Sequence, residues 1–168
     1  MLYFHPYVGA DTDLAVADEN GLQHFGLSKS ERVVVYLLEK AGILDCGYVV
    51  SCDKWYSSVR LSRYLWSRQT GMRGTIRKNR GIPIELKSCK IAKGDTKFMR
   101  SGPVLAMRYV DKKDVYLIST VENAGFEQKT RVLPGNKRVI QMKPTAVCNY
   151  NNEEICHIDN WTFESNTF

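Results

Sequence analysis

The stretch that most narrows the fold is GYVVSCDKWYSSVRLSRYL, Gly47 to Leu65. An apolar strand, Tyr48-Val49-Val50, closes on a carboxylate, Asp53. A helical pattern follows from about Ser57 to Gln69, with Val59, Leu61, Tyr64 and Leu65 on its apolar side. An acid delivered where a buried strand turns into a helix belongs at the open edge of an α/β sheet, where ligands gather. The flanking segments fit that frame. LYFHPYVG reads as a strand, and LSKSERVVVYLLEKAGIL reads as a helix. In the helix, Ser28 and Glu31 form a capping box, Gly42 supplies the stop, and Val33, Val34, Leu37, Leu38 and Ala41 make the apolar face. GMRGTIRKNR reads as a strand running into a basic turn.

From Gly81 the pattern changes. GIPIELKSCK and KGDTKFMRSG read as turns and short strands, and VLAMRYV and VYLISTV as an antiparallel hairpin about DKKD. PGNKR is a turn, RVIQMKPTAV a strand, and NYNNEEICHIDNWTF closes the chain with a helix starting near its end. Strand–helix alternation interrupted by such a segment predicts an α/β fold with an inserted β-rich subdomain. The expected divisions are residues 1–80, 81–138 and 139–168.

Charge is distributed as unevenly as pattern. Residues 54–113 carry 16 basic and 3 acidic side chains, whereas residues 1–53 carry 3 and 8, and residues 114–168 carry 5 and 7. A positive excess this local predicts a surface that faces a polyanion. Arg73, Arg77, Lys78 and Arg80 cluster at a strand end, and Lys87, Lys90, Lys93, Lys97 and Arg100 extend the track. With no base-reading motif in view, the expected partner is DNA bound without sequence preference. Five cysteines without a CxxC pair argue against a disulfide framework, and the spacing of Cys148, Cys156 and His157 matches no common zinc pattern. The apolar runs are too short to span a bilayer, and the first residues lack the flank and core of a signal peptide. A soluble intracellular protein without a membrane partner is the expectation.

Among single residues, Asp53 and Asp159 are the candidate catalytic acids and metal ligands. Two-metal phosphoryl transfer needs carboxylates that converge from separated stretches on Mg²⁺ or Mn²⁺. Trp55 and Tyr56 either stack on bases or pack the strand-to-helix corner, and Trp66 is expected in the core. His5, His24 and His157 are scattered, with no nucleophile to pair.

The chain resembles the piggyBac transposase family, including its domesticated members, along nearly its whole length. PYVG is similar to the family's second strand. VVSCDKWYSSVRLSRYL resembles its strand, Cys-Asp, aromatic pair and Leu-rich helix. GTIRKNRGIPIELK and FMRSGPVLAMRYVDKKDVYLIST resemble its Gly-Thr-Val-Arg segment and its basic hairpin. The resemblance implies an RNase H-like fold with a β-rich basic insertion, a DDE/D metal site, and Asp53 as the second acid. No residue matches the family's first acid. Asp159 takes the place of the third, with Cys156, His157 and Ile158 where the family has Gly-Gly-Val, and Thr162 where it has a further acid. The expectation is therefore a partial RNase H-like fold with its first strand missing, a fragment lacking both ends of the family's chain. It would be inactive alone unless a partner chain, a second copy or a related transposase-derived protein, completes it. Nuclear localisation follows from the DNA role.

Overall fold

The computed structural model describes residues 26–152. The first helix, α1 (Lys29–Ala41), begins with the anticipated capping box. The Ser28 side chain caps the third helical position, Glu31 reaches back to the Ser28 N–H, and Gly42 ends the helix in the left-handed region at φ 67°. Its buried face differs from the apolar face read in the sequence. Glu31, Val35 and Leu38, spaced i, i+4 and i+7, are buried with Tyr36, whereas Val33, Val34 and Leu37 are only partly covered. Glu31 is fully buried and faces Arg60 at 3.7 Å and Arg80 at 3.8 Å. An unpaired buried carboxylate is costly, so the two arginines hold this face inward and rotate the helix about it.

Strand β1 (Val49–Cys52) leads through Asp53 into α2 (Val59–Ser67), whose N-cap Ser58 accepts the Leu61 N–H at 2.9 Å. The anticipated Leu61, Tyr64 and Leu65 are buried, while Trp66, expected in the core, is only half-buried. Next come β2 (Gly71–Thr75), a short helix α3 (Ile84–Ser88), β3 (Thr96–Ser101), β4 (Val104–Val110), β5 (Asp114–Ser119), β6 (Phe126–Leu133), β7 (Lys137–Pro144) and α4 (Thr145–Asn151). The β4–β5 hairpin turns where the sequence places it. Two elements depart from the reading, and a third stands where it makes no assignment. Ile84–Ser88 is a helix; Arg108 Nη1 donates to the carbonyls of Lys87 at 3.1 Å and Cys89 at 2.7 Å, partners 19 to 21 residues away that no local pattern reveals. Phe126–Leu133 forms a strand, and Thr145-Ala146-Val147 starts α4 instead of prolonging β7.

The strands form a five-stranded mixed sheet in the order β1-β2-β5-β4-β3, and a separate β6–β7 ribbon. β1 and β2 are parallel; every other neighbouring pair is antiparallel. Of residues 81–138, β3, β4 and β5 therefore extend the sheet of β1 and β2, joined through Arg73–Ser119, Gly74–Ile118 and Thr75–Leu117. The sheet separates two apolar cores. One gathers Val35, Leu61, Leu65, Met72, Leu86 and Ile118 beneath α1, α2 and α3. The other gathers Met107, Tyr109 and Leu117 against Ala146 and Val147 of α4. The outcome is a mixed α/β fold with helices on both faces of the sheet. β1 is its terminal strand among the described residues, and the expectation that the family's first strand is missing concerns residues outside them.

Candidate nucleic-acid interface

Strand directions give the sheet two unlike rims. The carboxyl ends of β1 and β2 share one rim with the β4–β5 turn and the start of β3, because Val110 pairs with Asp114, and Thr96 with Tyr109. Asp53 emerges on this carboxyl rim. Its Oδ1 accepts the Trp55 N–H at 3.0 Å and its carbonyl accepts the N–H groups of Tyr56 and Ser57, so a tight turn fixes the acid at the surface. The corner requires Gly74 on the adjacent strand. A Cβ there would come within 2.5 Å of both the Cys52 carbonyl and Ser57 Oγ. The Cys52 thiol is pushed up to about 12, by burial first and by the Asp53 charge second, so it stays protonated and offers no thiolate beside the acid.

The basic residues divide between the rims. Arg77, two residues beyond β2, lays its guanidinium 4.4 Å from the centre of the Trp55 ring and meets no acid among the described residues. Lys90 and Lys93 lie in the loop before β3, which is tied to the rim by the Gly94 N–H to the Val110 carbonyl at 2.6 Å. Lys97 follows on β3; these three lysines are exposed and without an acid partner among the described residues. Lys87 is half-buried on α3. Lys78 faces Asp114 at 3.7 Å, a carboxylate it shares with Arg108 at 3.0 Å. The sequence track omitted Lys112 and Lys113, which the β4–β5 turn exposes on the same rim. The DKKD turn that reverses the strand was the signal for them. Four strand spacings separate β1 from β3, so the rim extends roughly 19 Å.

Three arginines of the track do other work. Arg73, expected at the surface, is buried: Nη1 stands 3.3 Å from Glu122 Oε1, with side chains 8% and 6% exposed. Its position mid-strand, opposite Ser51 and Ser119, directs it into the molecule. Arg80 spends its donors on Ser28 Oγ, Ser30 Oγ and the Trp55 carbonyl, each at 3.2 Å, and on Glu31. Arg100 lies on the opposite, amino rim, where Nη2 donates to the Glu122 carbonyl at 2.7 Å and to Asn123 Oδ1 at 3.1 Å.

The family resemblance implies a divalent metal at Asp53. The described residues do not complete such a site: no group of three or more His, Cys, Asp or Glu side chains converges among them. Asp53 presents one oxygen already engaged by Trp55, and Asp159 and the three histidines lie outside the described residues. Asp53 alone is too small a ligand set for a two-metal centre. No described helix is long and apolar enough to cross a membrane.

Comparison with known proteins gives this rim a context. The family model described as transposase IS4, of the DDE type, matches residues 2–159. A cryo-EM structure of the piggyBac transposase synaptic complex with hairpin DNA is similar at 27% sequence identity and a TM-score of 0.63. The likeness covers 88% of this chain and 27% of that one, so the chain spans about a quarter of the matched protein's length. With a family model that spans residues 2–159 and a sheet that carries the expected strand-end acid, the chain belongs to the DDE-type, IS4 transposase family and is piggyBac-like in its fold.

Proposed function

We propose that this chain binds the DNA backbone without reading its sequence, through the carboxyl rim of the sheet. The supporting observation is the set of cations there without an acid partner among the described residues: Arg77, Lys90, Lys93, Lys97, Lys112 and Lys113. Phosphate neutralisation is the dominant sequence-independent term in DNA affinity. A rim of roughly 19 Å matches about five base pairs of duplex, at about 3.4 Å per phosphate on each strand. Membership of a transposase family supplies the general setting of DNA transposition, and DNA binding would place the chain in the nucleus. Strand cutting or joining would require acids beyond Asp53, contributed from outside the described residues or by a partner chain.

The test is binding of the full chain to unrelated duplexes at salt from about 50 to 200 mM, followed by fluorescence anisotropy. Equal affinities are expected, with a log–log slope of about −4 to −5 for four to six phosphate contacts. Lys112→Glu with Lys113→Glu should flatten the slope by about 2. Affinity indifferent to salt would refute the proposal and favour a protein partner at the sheet edges instead.

A further inference from the structure

We infer that Trp55 and Arg77 together hold an unpaired nucleotide beside Asp53, an inference that rests on the DNA-binding reading above. Trp55 is 53% exposed, although exposing an indole to water is unfavourable. Its backbone is fixed on both sides. The N–H donates to Asp53 Oδ1 at 3.0 Å, and the carbonyl accepts from Arg80 Nη2 at 3.2 Å. Arg80 is itself anchored to Ser28, Ser30 and Glu31 on α1. The ring is thus displayed by a rigid support instead of hanging from a free loop, and it belongs to neither apolar core.

Arg77 completes the arrangement. Its guanidinium rests 4.4 Å from the ring centre, yet donates to no acceptor among the described residues. A guanidinium held over an indole with its N–H groups not spent on acceptors can take two phosphate oxygens. The same cation offsets the repulsion between a phosphate and the neighbouring Asp53 carboxylate. A base within a duplex is already stacked on both faces, so an exposed indole can receive a base only where pairing has ended: at an overhang, a nick, a hairpin tip or an extruded nucleotide. Stacking tolerates any base, which agrees with binding that reads no sequence.

The experiment compares the full chain on a short blunt duplex and on the same duplex with a single-stranded overhang carrying 2-aminopurine. Wild type is expected to bind the overhang substrate on the order of 10-fold more tightly and to quench the 2-aminopurine. In Trp55→Ala that affinity ratio should fall to about one and the quench should vanish, whereas Trp55→Phe should keep most of both. A thermal melt by circular dichroism establishes that each variant is folded. Equal wild-type affinity for the two substrates, or a preference that survives in folded Trp55→Ala, would overturn the inference while leaving backbone binding intact; Trp55 would then be assigned to a protein contact. Absence of salt-dependent binding to the blunt duplex would instead remove the DNA-binding reading, and this inference with it.

Discussion

The two rims of the sheet use the same residue types differently: one spends its arginines on the fold, and the other keeps a share of its cations without an acid partner among the described residues. On the amino rim the arginines are internal fasteners. Arg68 grips Asp45 at 2.6 Å and joins the end of α2 to the approach of β1, Arg73 is buried against Glu122, and Arg100 holds the backbone after β5. Burial of Tyr64 raises its pKa first, with the Arg68 hydrogen bond acting in the lowering direction, so its hydroxyl remains a neutral member of that network. The carboxyl rim has fasteners of its own, Arg80 on Ser28, Ser30 and Glu31 and Arg108 on Asp114, but Arg77, Lys112 and Lys113 there meet no acid among the described residues. Arg73 and Arg77 sit four residues apart, one inside and one outside. Positive charge in a sequence therefore marks a binding surface only after the charges that fasten the fold have been subtracted.

The contrast can be broken most directly at Glu122. Glu122→Ala would leave Arg73 buried without its carboxylate and would also release Ser119 Oγ, which donates to Glu122. Urea unfolding should show a loss of about 3 to 5 kcal/mol; a loss below about 1 kcal/mol would mean that the pair is not a fastener. Next in size, Gly74→Ala drives a methyl into the Cys52 carbonyl and Ser57 Oγ, and should cost about 1 to 3 kcal/mol. Its unfolding midpoint tests whether the Asp53 corner is as closely packed as the amino rim. Smallest of the three, Lys112→Glu with Lys113→Glu should change stability by no more than about 0.5 kcal/mol, measured by the same unfolding, even as it flattens the salt slope of DNA binding. A large loss of stability there would erase the distinction between the rims.

Local signals were readable in the sequence because their partners lie a few residues away. The Ser28–Glu31 box, the Gly42 stop, the alternation of β4 and β5 about DKKD, and the acid closing β1 each involve contacts within one turn or one strand. What was missed depends on distant partners. The Ile84–Ser88 helix is held at its end by Arg108 from β4, and the buried side of α1 is chosen by Arg60 and Arg80. Phe126–Leu133, which the sequence reading leaves unassigned, becomes a strand by pairing with β7. Of the candidate site, Asp53, Arg77, Lys90, Lys93 and Lys97 meet on one rim; Arg73 and Arg100 were misplaced because a linear run of basic residues carries no record of which face or end each one occupies.

By itself, then, the sequence determined the α/β alternation, the local caps, the acid at the strand end and the excess of positive charge. These follow from backbone geometry and from counting. Only the tertiary structure decided the strand order β1-β2-β5-β4-β3, the division of that charge between fasteners and a free rim, and the display of Trp55 beneath Arg77. The physical reason is that a buried ion pair, a cross-strand register and a cation over a ring are all choices among distant partners, and burial selects among them once the chain has closed on itself.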